Sequence, residues 1–303
     1  MAVNKNGIVV MGAVFVDIKG FPDDVYIPDG RNAGKVEYIH GGVSRNVVED
    51  IANMELRPTF LSIVDESALG DAVVRKLNNH KVNTEYIQSA PNGMGTWLAV
   101  FDNNGDLAGS ISQRPDLMSL LDVLEKKGDE IFANADSIII EVDVDKEIVK
   151  KVVELCEKHQ KKLYGVVSNM SIAVERRDFL QKFDCFICNQ LEAGMFFADD
   201  FSETAPKELA EILAKKLQLA KIPSMVVTMG GAGSVYADMK GKKGFCPAKK
   251  VQVKDTTGAG DAFCAGVSSG LTYGKTLAES VEIGTRLAAS VITSSENVCP
   301  RFL

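Results

Sequence analysis

The stretch Asp255-Thr256-Thr257-Gly258-Ala259-Gly260-Asp261-Ala262-Phe263-Cys264-Ala265-Gly266 governs how the rest of this 303-residue chain is read. Gly258, Ala259 and Gly260 are small enough to let the backbone come close to a ligand, and the small, apolar run behind them has the character of a helix. Successive N–H groups at such a helix start form an anion site, strengthened by the positive end of the helix dipole. A carboxylate at that point, Asp261, is suited to take a proton from a hydroxyl attacking a bound phosphate. A glycine turn that only caps a helix would use the same residue types, so the surrounding pattern has to decide.

Outward from this segment, short β-branched runs alternate with helical patterns. Candidate strands are Ile8 to Val14, Thr59 to Ile63, Ser137 to Val142, Lys162 to Val167, Cys185 to Cys188 and Met225 to Met229. Between them lie helical stretches such as Ser44 to Met54, Lys146 to Gln160 and Pro206 to Leu219. The alternation implies an α/β fold: βαβ units forming a mainly parallel sheet covered by helices on both faces. Two stretches depart from it. Residues 17–40 are rich in Pro, Gly and Asp, with extended pieces expected at Val25 to Ile27 and Val36 to Ile39. Residues 96–113 hold two extended runs around Asn104-Gly105, a strong hairpin signal because both residues tolerate positive φ. Together they predict a small antiparallel β lid on a single domain spanning residues 1–303.

Composition narrows the function classes. Hydrophobic residues make up 46% and charged residues 25%, the balance of a chain that can bury a core. The charge is 34 − 41 = −7, and the Lys-rich stretches Lys158 to Lys162 and Lys240 to Lys250 are short and interrupted, which argues against nucleic acid as a partner. The longest apolar run, Ile8 to Val16, is broken by Gly12 and falls well short of the ~20 residues of a membrane helix. It lacks the pattern of a secretion signal, so no membrane association and a cytoplasmic location are expected. Cys185 and Cys188 form a lone C-x-x-C inside an apolar run and read as core residues, while three histidines leave little for a histidine metal centre.

The string from Asp255 to Gly266 resembles, without substitution, the C-terminal signature of the ribokinase-like (PfkB) family of sugar and nucleoside kinases. The resemblance implies ATP-dependent phosphoryl transfer on a three-layer α/β/α core, with Asp261 as catalytic base and Gly258, Ala259 and Gly260 forming the anion hole. Other landmarks follow in family order. Gly41-Gly42-Val43-Ser44-Arg45-Asn46 is similar to the N-terminal G-G-x-x-x-N signature that holds sugar hydroxyls, and Asp17 to the aspartate that accepts from them. Asn189 and Glu192 resemble the N-x-x-E motif that orients Mg²⁺ through water, with Asn189 also at the nucleotide. Thr228, Gly230 and Gly233 resemble the T-x-G-x-x-G nucleotide segment. Thr285 stands near the adenine edge, where relatives often carry Asn. Asp255 and Thr257 match positions that hold a monovalent cation, K⁺, in many members; a hydrogen-bonded loop carboxylate is the alternative for Asp255. Val166-Val167-Ser168 departs from the Asp-Pro or Asn-Pro of many relatives. A homodimer through the lid completes the expectations.

Within the family, Asn32 to Gly42, the Asp17-Ile18-Lys19-Gly20 step and the hairpin from Thr96 to Asp106 look most like pseudouridine kinases. Glu141 falls where those enzymes carry an acidic residue at a strand end, either facing substrate or a loop. Pseudouridine, phosphorylated on its 5′-hydroxyl, is the expected substrate, with ribose, fructose-type sugars and other nucleosides as alternatives. A non-catalytic sensor on the same fold and an oxidoreductase are the readings from other classes. The intact Asp261 argues against the first, and the absence of a dinucleotide fingerprint against the second.

Overall fold

Ile138, Ile139 and Ile140 point alternately to the two faces of their strand, and all three are wholly buried. A strand buried on both sides belongs in the middle of a layered sheet. In the computed structural model, which describes residues 6–301, that is its place. The strands in chain order are β1 (Gly7–Met11), β2 (Phe15–Pro22), β3 (Gly34–Gly41), β4 (Thr59–Val64), β5 (Ile87–Ser89), β6 (Gly95–Phe101), β7 (Leu107–Gln113), β8 (Ala135–Glu141), β9 (Leu163–Val166), β10 (Cys185–Asn189), β11 (Ser224–Thr228), β12 (Ser234–Asp238) and β13 (Lys243–Cys246). Among the described residues they form a nine-stranded sheet of order β13-β12-β11-β10-β9-β8-β1-β4-β5 and a four-stranded sheet of order β3-β2-β6-β7.

The large sheet is parallel from β5 to β11, and β12 and β13 add antiparallel at one edge. Its two faces build two cores. Val9, Met11, Ile138 and Ile140 pack toward the helices Leu120–Ala133, Lys146–His159 and Pro206–Ala220. Ile8, Val10, Ile139 and Ile187 pack toward Val43–Asn53, Ala259–Thr272 and Leu277–Ile292. Each such side chain contributes roughly 1.5–3 kcal/mol of burial, so the sheet is a rigid platform for the loops at its strand ends. Cys185 and Cys188 lie buried in β10 as free cysteines, as expected of core residues.

The small sheet consists of two antiparallel hairpins, β2–β3 and β6–β7, joined by a parallel pairing of β2 with β6. The extended piece expected at Val25 to Ile27 is a loop instead; Phe15–Pro22 is the strand that pairs with Gly34–Gly41. The chain needs those intervening residues to turn, and Asn32 braces the loop by donating to Ile27 O at 3.0 Å while accepting from Ile27 N at 2.8 Å. In the second hairpin Gly105 alone takes a positive φ, of 85°, and Asp102 Oδ1 accepts from the amides of Asn104 and Asp106 at 2.8 and 2.9 Å. An Asx turn therefore replaces the two-residue turn that Asn-Gly suggests. Among the described residues no helix is long and apolar enough to cross a membrane.

Candidate active site

Gly258 precedes the helix Ala259–Thr272 with φ at 79°, and a Cβ there would lie 1.9 Å from Asn297 O, so only glycine fits. The helix ladder begins with Ala262 N donating to Gly258 O at 2.9 Å, which leaves the earlier amides without helical acceptors. Ala259 N turns back to Thr256 O at 3.2 Å, whereas the amides of Gly258 and Gly260 have no partner among the described residues. A Cβ added at Gly260 would meet no atom within 4 Å. The loop thus presents two free donors and open space at a positive helix end, an arrangement suited to an anion.

Asp261 stands in the first turn of that helix and accepts a hydrogen bond of 2.6 Å from Asn46 Nδ2. Burial pushes its pKa up to about 7; the Asn46 hydrogen bond and the Arg45 charge pull the other way, by less. A carboxyl of that kind can take up a proton near neutral pH. Asn46 arrives on the helix Val43–Asn53, whose N-cap Gly42 has φ at 99° and would place a Cβ 2.7 Å from Ala13 O. The other amide atom, Asn46 Oδ1, is buried and unpartnered among the described residues, an acceptor awaiting a donor.

Asn46 and Asp261 line a cavity of about 520 Å³ together with Asp17, Gly41, Gly42 and Glu141. Asp17 comes from β2, opposite Ile39 and Trp97, and burial raises its pKa while Lys19 and Arg45 lower it. Gly41 leaves room for it: a Cβ there would be 2.9 Å from both Asp17 carboxylate oxygens. Glu141 ends β8 with its oxygens already engaged. Oε2 accepts from Ala13 N at 3.1 Å and Ser44 Oγ at 2.9 Å, and Oε1 from Ser168 Oγ at 2.8 Å. Burial first, then Asp143, raises the Glu141 pKa. Ser168, in the departing Val-Val-Ser step, also reaches Asp143 Oδ2 at 2.8 Å and so ties two strand ends together.

On the far side of Asp261 a smaller cavity of about 260 Å³ is lined by Glu192, Asn189, Thr228 and Gly260 as well as Asp261. Asn189, Thr228 and Gly230 also line a third, of about 950 Å³, at the ends of β10 and β11. Asn189 and Glu192 form a capping box: Glu192 N donates to Asn189 Oδ1 at 2.8 Å and Asn189 N to Glu192 Oε2 at 2.7 Å. Burial raises the Glu192 pKa, a cost that a nearby cation would relieve. Among the described residues no cluster of three or more metal-ligating side chains exists, so a metal here would draw most of its ligands from phosphate and water. Asp255 accepts from Thr257 N at 2.8 Å, which lowers its pKa, and both residues line a cavity of about 340 Å³ with Lys19, His40 and Asn297.

Two expected nucleotide residues stand apart. Gly233, at φ of 112°, shapes the turn after β11, its carbonyl accepting from Met229 N at 2.8 Å, and it lines none of these cavities. The Thr285 hydroxyl donates to Val281 O at 2.8 Å and lies 3.4 Å from Cys246 Sγ; it too is outside them.

Three cavities thus share residues in series: an acceptor chamber, a narrow passage at Asp261 and Gly260, and a wide chamber over β10 and β11. Residues 5–299 match the pfkB family carbohydrate kinase. The chain belongs to that family. The kinase is a phosphotransferase, and ATP is the phosphoryl donor its family implies. It is 35% identical over 294 residues to guanosine-inosine kinase of Exiguobacterium acetylicum, covering 96% of each chain. To pseudouridine kinase of Escherichia coli (strain K12) it is 24% identical over 278 residues, 91% of this chain and 87% of that one. The structure of Arabidopsis thaliana ribokinase complexed with ribose and ATP superimposes with a TM-score of 0.85 at 19% identity, covering 98% and 96% of the two chains, and shares the fold.

Several residues of the site escape a motif reading. Arg114, Asp143, Asn169, Arg176 and Asn297 all line the acceptor chamber. For Asp143 a signal existed: it follows the end of a buried strand, where parallel sheets place their ligands.

Proposed function

We propose that the kinase transfers the γ-phosphoryl group of ATP to the primary 5′-hydroxyl of a ribonucleoside, with purine ribonucleosides ahead of pseudouridine. The observation that carries this is the 2.6 Å contact between Asn46 and Asp261 at the passage between the acceptor chamber and the anion loop. In this reading Asp17 accepts from the ribose diol, and the free Asn46 Oδ1 accepts a further hydroxyl. Asp261 takes the proton of the 5′-hydroxyl as that oxygen attacks phosphorus. The Gly258 and Gly260 amides stabilise charge on the phosphoryl oxygens, a task of positioning and electrostatics. Mg²⁺, held through water by Asn189 and Glu192, supplies charge neutralisation on the phosphates. A monovalent cation at Asp255 and Thr257 steadies the loop before Gly258. The small sheet acts as a lid over the acceptor, and two copies pair through it.

The preference for a purine departs from the sequence expectation of pseudouridine. Its support is the 35% identity to a guanosine-inosine kinase over nearly the whole chain, against 24% to a pseudouridine kinase. ADP release measured with inosine, guanosine, pseudouridine, ribose and fructose tests it. Inosine or guanosine should show the highest kcat/KM, with ribose lower by up to ~10⁴ because a base-reading site is left unpaired. A higher kcat/KM for ribose or fructose would overturn the nucleoside reading; ligand binding without ADP release would leave a sensor.

A further inference from the structure

We infer that Arg176 and Asp145, which line the same acceptor chamber, are the specificity-determining residues that read the oxo edge of a 6-oxopurine base. The inference rests on the nucleoside reading above and goes beyond it by naming the residues and the base edge.

The two residues come from adjacent strand ends. Asp145 follows β8 as the N-cap of the helix Lys146–His159, and Arg176 closes the 3-10 turn Val174–Arg176 after β9. Both line the chamber that Asp17, Asn46 and Asp261 also line. Arg176 is only 12% exposed, and its Nε is buried without a hydrogen-bond partner among the described residues. Its one ion pair among the described residues, to the adjacent and 73% exposed Glu175 at 3.3 Å, is a surface contact of little worth and does not account for burying a guanidinium. A buried donor left unpaired costs free energy that a ligand acceptor would recover. Asp145 makes no side-chain cap to its own helix, unlike Asn189 or Thr276, so its carboxylate remains available.

A guanidinium offers parallel N–H donors and accepts nothing. The edge of a 6-oxopurine presents O6 and N7 as adjacent acceptors, the geometry that arginine meets bidentately. Its N1–H is a donor, which suits a carboxylate. Adenine carries an amino group where O6 stands and an unprotonated N1, so it would set donor against donor and lone pair against carboxylate. Pseudouridine's base has no N7 and offers the arginine one acceptor at a time. Donor-rich Arg176 and acceptor Asp145 in one chamber therefore match inosine and guanosine and disfavour adenosine.

Wild-type kinetics with inosine, 7-deazainosine and adenosine, alongside Arg176→Ala and Arg176→Lys, test this. Inosine should exceed both analogues, and Arg176→Ala should cut kcat/KM for inosine roughly 5- to 150-fold, the range of one bidentate base contact, mainly through KM. The variant should also bring the inosine-to-adenosine ratio toward one. Arg176→Lys keeps the charge but not the fork, and should recover only part of the loss. The wild-type comparison needs no variant and stands even where Arg176→Ala folds poorly. Equal turnover of inosine and 7-deazainosine, or an Arg176→Ala loss shared equally by inosine and adenosine, would overturn the inference while the nucleoside reading survives. A wild-type enzyme that phosphorylates sugars and no nucleoside would remove both.

Discussion

Strand β4 is buried at every position, and strand β7 is exposed at every position. The two sheets to which they belong divide the labour of the molecule. The large sheet hides its central strands between helices and brings their ends, where Glu141, Asn189 and Thr228 sit, to the cavities. The small sheet turns Asp17, Trp97 and Ser112 toward the acceptor chamber on one face and leaves Tyr38, Leu98 and Ile111 of the other face exposed. Precision in phosphoryl transfer needs groups that do not move, and packing supplies that. Covering different acceptors needs a surface with few packing obligations. The comparison predicts that changes at the ends of the large sheet act on chemistry and stability, and changes on the outer face of the small sheet on association.

The largest effect should come from Asp261→Asn, which keeps the shape and removes the carboxylate proposed as the base: turnover should fall roughly 10²–10⁴-fold. In the unaltered enzyme kcat/KM should rise with pH about tenfold per unit below about 7 and level off above it, as Asp261 loses its proton. The sign for stability is opposite. A carboxyl whose folded pKa is raised holds its proton more tightly when folded, so its contribution to stability falls as pH rises from its ordinary value near 3.8 to about 7. Asp261→Asn should therefore melt no lower than the unaltered protein at pH 8. A variant that both retains turnover and keeps the pH inflection would show that another group, such as Glu141, a buried carboxyl of the same chamber with a raised pKa, is the base.

Next in size is the root of the small sheet. Arg45 is buried, donates to Glu49 Oε2 at 2.6 Å, and reaches back to the carbonyls of His40 and Gly41, where β3 enters the helix Val43–Asn53. Arg45→Met leaves Glu49 in the interior without its nearest cation, which should cost about 3–5 kcal/mol by denaturant melts. Because Asn46 is the adjacent residue, KM for the acceptor should rise as well. A loss below about 1 kcal/mol would mean that Lys76, 3.1 Å from Glu49 Oε1, carries the charge alone, and that the root is less tightly tied than the core.

The sequence made the large sheet legible because its signal is local: runs such as Ser137 to Val142 cannot be satisfied except between two helix layers. The anion loop was legible for the same reason, since Gly258 needs its φ from its own backbone. The acceptor chamber was legible only in part: its motif residues Asp17, Gly42 and Asn46 were, whereas Arg114, Asp143, Asn169 and Arg176 meet only through strand order. Nor did spacing reveal that Asn46 grips Asp261 across 215 positions of chain. The N-x-x-E pair carried two meanings at once: a capping box closes on itself and still leaves a Glu192 carboxylate oxygen at the passage. Thr285, expected near the adenine edge, has its hydroxyl engaged by the carbonyl four residues back, as helical threonines commonly do.

The smallest effect on the folded chain should come from the outer face of the small sheet. Ile18, Tyr38, Leu98 and Ile111 stand opposite one another across β2, β3, β6 and β7, in one row running over the whole sheet. Side chains one residue away along each strand face the other side, so this row is turned away from Asp17 and Trp97. Tyr38 is 60% exposed and Ile111 70%, a contiguous apolar strip that water covers poorly in a single copy. An isologous pairing would bury it, and we expect a dimer held through this face. Ile111→Ser makes no hole in either core, so thermal stability of the single chain should move by less than about 0.5 kcal/mol. The same change, combined with Leu98→Ser, should shift the mass measured by light scattering from two copies to one. An unaltered protein that is already a monomer at high concentration, or a double variant that stays dimeric, would place the association elsewhere and leave the exposed row as a property of the lid alone.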